Sequence, residues 1–184
     1  MRIIAGDWRG RPLVAPRGDT TRPTADRTRE TLFSMLVSRL GSFEHLKVAD
    51  LFAGSGALGL EALSRGAATC LFVEQDAAAI RALRQNVANL RAQAQCDVRA
   101  SSVLAQGIAK EPLDLILLDP PYGTGAGTVA LEKLNRLGWI GAATWISLET
   151  AFNDEPKIKG LEAVATRKVG KARITLLRLQ DAPA

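Results

Sequence analysis

The chain has 184 residues, 47% of them hydrophobic, with one histidine and two cysteines. This fits one α/β domain with a substantial core and argues against a disordered chain or a Cys/His zinc module. The formal charge of +5 sits at the ends: residues 1–30 hold seven arginines against four acids, residues 31–155 ten basic against thirteen acidic, and residues 156–180 seven basic against one. No apolar run is long enough to span a membrane, and Met1-Arg2-Ile3-Ile4-Ala5-Gly6-Asp7 lacks the apolar run of a secretion signal, so a cytoplasmic protein is expected. Cys70 and Cys96 lie in strand-like apolar contexts and read as buried thiols rather than a disulfide.

In chain order, residues 2–15 read as a small antiparallel element turning at residues 6–10. Residues 16–23 are irregular, and a helix is expected from Thr24 or Asp26, either able to cap it, to about Leu40. Leu32, Met35, Leu36 and Leu40 share its apolar face. An alternating strand–helix pattern follows. Strands are predicted at residues 48–52, 69–73, 95–100, 113–118 and 143–148, and helices from the glycine loop to about Arg65, over 77–90, over 103–110 and over 128–137. Residues 161–168 and 173–179 read as two strands joined at Gly170-Lys171, a turn short enough to join only antiparallel neighbours. The prediction is a parallel α/β sheet with an antiparallel edge hairpin. Residues 1–44 form a basic extension on a catalytic domain of residues 45–184.

Asp119-Pro120-Pro121-Tyr122 follows the apolar strand 113–118, where an open α/β sheet presents its active site. Two prolines remove two N–H donors, leaving a carboxylate, backbone carbonyls and a flat ring. Such an acceptor-rich clamp beside a stacking surface suits an exocyclic amine on a planar base. A strand-terminating Pro-Pro turn with a surface tyrosine is the plainer alternative.

Gly54-x-Gly56-x-x-Gly59 follows the first strand and opens a helix, with Phe52 and Ser55 in the same loop and Glu74 twenty residues beyond Gly54. The pattern alone also matches an NAD fingerprint. Asp50 tilts it toward S-adenosylmethionine, since a carboxylate attracts an ammonium and a sulfonium but repels a pyrophosphate, and no Lys or Arg lies near the loop. Glu74 is placed to accept the ribose hydroxyls. Asp76 reads first as a helix cap. Ser102 and Val103, after the third strand, are the candidates for the adenine edge by hydroxyl and backbone amide.

Taken together, Arg2-Ile3-Ile4-Ala5-Gly6 with Trp8-Arg9-Gly10-Arg11, the run Arg22-Pro23-Thr24 through Asp26, Arg27 and Arg29 to Phe33, Asp50 through Arg65, and Asp119-Pro120-Pro121-Tyr122 resemble the bacterial RsmD family. The glycine loop and Asp119–Tyr122 occur in many amino-methyltransferases, whereas the arginine-rich start is the specific part. The resemblance implies a seven-stranded, Rossmann-like class I S-adenosylmethionine-dependent methyltransferase sheet. It also implies action on the N2 amine of guanine 966 in 16S ribosomal RNA, within an assembled or assembling small ribosomal subunit. The implied roles are Glu74 for ribose, Asp119 and Pro120 for the target amine, and Tyr122 for the base face. The rival readings are an adenine-N6 amino-methyltransferase, an NAD-dependent oxidoreductase and a non-enzymatic assembly factor with a vestigial pocket.

Arg9, Arg11, Arg22, Arg27 and Arg29 are candidates for phosphate contact. Arg29 is equally a candidate for a pair with Asp26, and Trp8 either stacks on a base or closes the small hairpin. Lys168 and Lys171 either extend a basic rim, if the two ends meet around the pocket, or are solvated turn lysines. The chain is expected to act as a monomer, with no metal and no membrane partner.

Overall fold

The computed structural model describes residues 1–17 and 23–181. One sheet contains β1 (Lys47–Leu51), β2 (Thr69–Glu74), β3 (Cys96–Ala100), β4 (Leu115–Leu118), β5 (Trp145–Ala151), β6 (Leu161–Val169) and β7 (Ala172–Leu179), in the order β3-β2-β1-β4-β5-β7-β6. The first five strands are parallel, and β7 runs antiparallel to both β5 and β6. This is the class I methyltransferase topology with a C-terminal antiparallel hairpin. Strand order reverses between β1 and β4, and there the carboxyl edge of an open sheet forms its crevice.

Helices cover both faces. α1 (Pro23–Leu40), α2 (Ala57–Ser64) and α3 (Ala77–Asn89) pack on one side with Val48, Cys70, Phe72, Leu115 and Leu117. α4 (Ala126–Arg136) packs on the other with Ala49, Leu51, Ile116, Leu118, Ile146 and Leu148. Side chains alternate along a strand, so Asp50 and Glu149 belong to the α1–α3 face. Gly59 lets α2 approach the sheet: a Cβ there would lie 2.4 Å from Phe72 Cε1 and 2.6 Å from Cys70 Sγ. Cys70 and Cys96 are register partners on β2 and β3, and both thiols are free.

The pattern of strands and helices follows the sequence expectation with a few differences. The expected helix over 103–110 is only a 3-10 turn, Val103–Ala105. Beyond it the chain is extended, because its polar groups are taken elsewhere. The Gln106 amide donates to Ser101 Oγ and the Ser102 carbonyl and accepts from Arg99, Trp139 Nε1 donates to the Gly107 carbonyl, and the Ala109 N–H bonds the Leu137 carbonyl. β5 continues three residues past its expected end at Leu148, because its edge is paired with β7 as far as Ala151↔Ala172.

The small N-terminal element forms as expected, with Arg2 bridged to Pro12 and the Ile3 N–H bonded to the Arg11 carbonyl at 3.0 Å. Ile3 and Leu13 enter the same apolar cluster as α1, and Trp8 packs against that cluster from a partly buried position, closing the hairpin. Polar groups on α2 hold this segment. The Glu61 carboxylate, fully buried, accepts the N–H groups of Ile4 at 2.8 Å and Ala5 at 3.0 Å and pairs with Arg65 Nε at 3.0 Å. Ser64 Oγ donates to the Ala5 carbonyl at 2.6 Å and accepts from the Trp8 N–H at 3.0 Å. Arg65 in turn lies over the Phe33 ring at 4.8 Å.

Glu61→Ala would strand the two N–H donors and leave Arg65 without its carboxylate. Removing one member of such a buried set costs roughly 3–5 kcal/mol, so the urea midpoint of the Glu61→Ala protein is expected to fall sharply at unchanged slope. A midpoint within error of wild type would show that the segment contributes nothing to global stability.

Candidate active site

A cleft of about 1020 Å³ opens at the carboxyl edge of β1, β2 and β4. Its floor begins at Asp50, which is 1% exposed and whose Oδ2 accepts the Gly59 N–H at 2.9 Å. Burial pushes the Asp50 carboxyl up to about 8; the Gly59 bond opposes that rise and the charge of Glu74 adds to it. One oxygen of Asp50 thus pins the first turn of α2, and the residue lines the cleft. The chain leaves β1 through Phe52 in the left-handed region, φ 58°. Gly56, at φ 84°, lies in the left-handed region that favours glycine, and a Cβ there would lie 2.3 Å from Leu83 Cδ1, so that side chain would have to move.

Glu74 organises this loop from the tip of β2. Its Oε1 accepts from Gly54 N–H and its Oε2 from Gln75 and Asp76 N–H, all at 2.8 Å. A carboxylate offers about four acceptor positions, so the cleft side of Glu74 retains capacity for a ligand hydroxyl. Asp76 is the cap of α3, accepting from Ala79 N–H at 2.9 Å. Ser102 and Val103 line the far wall. The Ser102 hydroxyl already accepts the Leu104 N–H at 3.2 Å and starts the 3-10 turn, which lessens its availability to a base edge.

Gly54, Ser55, Asp50 and Glu74 meet Asp119, Pro120 and Pro121 in this one cleft. Asp119 follows the last residue of β4, exposed at its rim, while Pro120 is buried against the start of α4. Tyr122 lines a smaller adjoining hollow shared with Pro120, Pro121 and Glu149. Its hydroxyl donates to Glu149 Oε1 at 2.6 Å. Burial, the Glu149 bond and the charges of Glu149 and Asp119 all raise its pKa, so it remains a donor. Glu149 lines both spaces and was missed by sequence reasoning, as was Asn86. The fully buried Asn86 side chain accepts from Val14 N–H at 2.7 Å and donates to the carbonyls of Val14 and Ser55, both at 2.9 Å. It ties the N-terminal arm to the glycine loop.

The cleft fits a cationic, hydroxyl-bearing ligand. Its described lining carries the carboxyl groups of Asp50, Glu74, Asp76, Asp119 and Glu149 against a single basic side chain, Arg29. A pyrophosphate would face net negative charge there.

The expected phosphate-contacting arginines divide. Arg9 and Arg27 are exposed, and Arg11 is exposed with Nη2 donating to the Asn89 carbonyl at 2.8 Å. Arg22 lies outside the described residues. Arg29 takes the second of its two expected roles, pairing with Asp26 at 3.5 Å, and not the phosphate contact: it is 5% exposed and donates to the Arg2 carbonyl at 2.5 Å. It is an internal tie in a cleft wall, and burial lowers its pKa while Glu61 and Asp26 hold it up and Arg65 lowers it. Lys168 and Lys171 are exposed on the hairpin, Lys168 Nζ lying 5.9 Å from the Phe152 ring. The arm and α1 line the cleft through Met1, Ala15, Thr28 and Arg29, whereas β6 and β7 contribute no lining residue among those described. No described helix is long and apolar enough to cross a membrane.

Residues 1–178 match the family model described as Conserved hypothetical protein 95. Ribosomal RNA small subunit methyltransferase D of Escherichia coli (strain K12) is 39% identical over 150 residues, covering 82% of this chain and 74% of that protein. The protein of the same description from Haemophilus influenzae is 37% identical over 166 residues, covering 86% and 82%. The solved structure of yhhF from Escherichia coli, provisionally described as a methyltransferase, superposes with a TM-score of 0.84 at 34% identity, covering 98% of both chains. A carboxylate-lined glycine-loop cleft that ends at Asp119-Pro120-Pro121-Tyr122, on this sheet and with these relatives, makes the chain a member of the ribosomal RNA small subunit methyltransferase D family.

Proposed function

We propose that this protein transfers a methyl group from S-adenosylmethionine to the exocyclic N2 amine of guanine 966 in 16S ribosomal RNA. The observation that carries the reading is the continuity of one cleft from Asp50 and Glu74 to Asp119 and Pro120. Curated relatives described as small-subunit ribosomal RNA methyltransferases support the choice of substrate.

In this reading Glu74 accepts the ribose hydroxyls and Asp50 faces the ammonium end. The loop from Phe52 through Gly54, Ser55, Gly56 and Gly59 gives the cofactor close backbone approach. Ser102 and Val103 flank the adenine. When bound, S-adenosylmethionine supplies an electrophilic methyl group on a sulfonium that is already a good leaving group. The residues of this chain do the rest. A guanine N2 lone pair is delocalised into the ring and is a poor nucleophile. Asp119 and the Pro120 carbonyl accept its two N–H bonds, and both acceptors hold it more tightly as the nitrogen gains positive charge during attack. That preference for the transition state is what accelerates the step. Asp119 is also the nearest acceptor for the released proton. Tyr122 holds the base plane in line from the adjoining hollow, an orientation effect. The base must leave its stack to enter, at a cost of a few kcal/mol that is smallest in an unpaired loop.

Arg9, Arg11, Arg22 and Arg27, with Lys168 and Lys171, form the proposed phosphate-contacting surface. Recognition of one nucleotide by shape favours a preorganised substrate, the assembled small subunit, over free RNA. The decisive experiment incubates the protein with labelled S-adenosylmethionine and, separately, free 16S RNA, small subunits lacking the modification, and DNA, then maps the modified nucleotide. Label on guanine N2 of 16S RNA is expected, fastest in the subunit. Label on adenine N6, or binding of NADH with no transfer, would overturn the reading.

The roles of the two carboxylates separate in kinetics. Glu74→Ala is expected to weaken S-adenosylmethionine binding by about ten-fold or more, since hydrogen bonds to charged groups contribute roughly 1.5–3 kcal/mol. Asp119→Ala is expected to leave that affinity nearly intact and to slow single-turnover methylation severely. Calorimetry and quenched-flow measurements check both, and the opposite pattern would exchange the two assignments.

Asp50 gives a pH-dependent contrast. Its carboxyl titrates at about 8 in the fold against 3.8 when unperturbed, so its contribution to stability declines as pH rises from about 4 and levels off above about 8. Asp50→Asn carries no charge and keeps an oxygen for Gly59. Melting temperatures across that range should therefore show a gain for the cofactor-free variant that widens toward pH 8, alongside weaker cofactor binding. A constant difference at all pH values would remove buried ionisation as the cause.

Arg9→Ala and Arg11→Ala should weaken RNA binding and leave cofactor affinity unchanged. Each lost phosphate contact lowers the slope of log affinity against log salt by roughly 0.7–0.9. Filter binding across a salt series measures it, and unchanged slopes would place the RNA surface elsewhere.

A further inference from the structure

Asp119 and Pro120 explain how an amine is held, but not which base carries it. Adenine N6, cytosine N4 and guanine N2 all offer two N–H bonds to such a clamp. The three bases differ beside the amine. Adenine presents a lone pair at N1 and cytosine one at N3, whereas guanine presents an N1–H donor next to its amine. A reader of guanine therefore needs a second acceptor, one ring atom away from the clamp.

Glu149 stands at that position. Leu118 of β4 pairs in register with Leu148 of β5, so Asp119 and Glu149 are the next residues along neighbouring parallel strands, whose spacing is about 4.8 Å. Both line the main cleft, and Glu149 also lines the hollow beneath Tyr122. Glu149 is only half-buried, and its Oε1 is held by the Tyr122 hydroxyl at 2.6 Å. Oε2 makes no hydrogen bond among the described residues. The tyrosine thus fixes the carboxylate while leaving one oxygen for a ligand. An ionised carboxylate can only accept, so it bonds an N–H donor and repels a ring lone pair.

We propose that Glu149 is the base-specificity residue of this site, accepting the N1–H of the target guanine while Asp119 and Pro120 accept its N2 amine. The proposal rests on the reading of the protein as a guanine-N2 methyltransferase and adds the group that rejects the other amino bases. Tyr122 acts here as a positioning residue for Glu149 in addition to bordering the base.

The test needs a substrate that keeps the amine and loses the N1–H; 2-aminopurine does so and loses the 6-oxo group with it, so the change of preference in the Glu149 variants, not the wild-type preference alone, assigns the N1 contact. The nucleotide methylated by the wild-type protein is first mapped. Ligated 16S RNA carrying guanine or 2-aminopurine at that nucleotide is then assembled into small subunits, and single-turnover methylation is measured on each. Wild type is expected to favour guanine by about ten-fold or more, within the usual discrimination of a paired base contact. In Glu149→Gln the amide oxygen keeps the Tyr122 bond and turns an NH2 group toward the base. That variant should lose at least ten-fold on guanine and bring the guanine to 2-aminopurine ratio to about one or below. Glu149→Asp, which keeps the charge, should be slower while retaining the preference for guanine. A role limited to holding Tyr122 would slow both substrates together, and an unchanged ratio in Glu149→Gln would overturn the proposal, as would a wild type indifferent to the two bases. Failure of the wild type to methylate any guanine amine is a different result: it overturns the proposed function itself, and the specificity role with it.

Discussion

The hydrogen bond from Gly59 N–H to the buried carboxylate of Asp50 governs where everything else can sit. It fixes the first turn of α2 to the central strand β1. Gly59 has no side chain to hold the helix off, so α2 lies directly on Phe72 and Cys70. The glycine loop between β1 and α2 passes through Phe52 and Gly56 in left-handed conformations. At its other end the same helix presents Glu61 and Ser64, which hold residues 4–8. One short helix, eight residues long, thereby positions both the glycine loop and the basic arm.

Much of this was legible in the sequence because it follows from local rules. Strand–helix alternation, the short Gly170-Lys171 turn and the capping position of Asp76 depend on neighbours in the chain, and each is found in the structure. The glycine loop and Asp119–Tyr122 are likewise contiguous runs with their own chemistry. What escaped were polar residues whose partners are distant in sequence. Glu61 drew no expectation from its place inside a predicted helix, and its N–H partners lie 56 and 57 residues away. Glu149 fell outside a strand expected to stop at Leu148, because only the pairing with β7 shows that the strand continues. Arg29 was legible as one member of a pair with Asp26, but nothing local reveals that the Arg2 carbonyl and a cleft wall bury it. The predicted helix over 103–110 failed for the same reason, since Gln106 and Gly107 serve groups on β3 and beyond α4.

Charge is partitioned in the same way as structure. Carboxyl groups gather inside the cleft at Asp50, Glu74, Asp76, Asp119 and Glu149, where the single described basic side chain is the buried Arg29, and the exposed Arg9, Arg11, Arg27, Lys168 and Lys171 lie outside it. A polyanion approaching the exposed cations meets acceptors only where a base can enter. Under the proposed function, two kinds of selection, one electrostatic and one by hydrogen-bond direction, would operate on different parts of the substrate.

Asn86 shows how narrowly the arm is registered against the loop. Its carboxamide uses its oxygen on Val14 N–H and its nitrogen on the carbonyls of Val14 and Ser55. Rotating the carboxamide by half a turn would set donor against donor and acceptor against acceptor. Aspartate has the shape without the donors, and glutamine has the donors one methylene too far out. The side chain thus works as a single-residue gauge block between residue 14 and residue 55, setting a distance that neither segment could hold by itself.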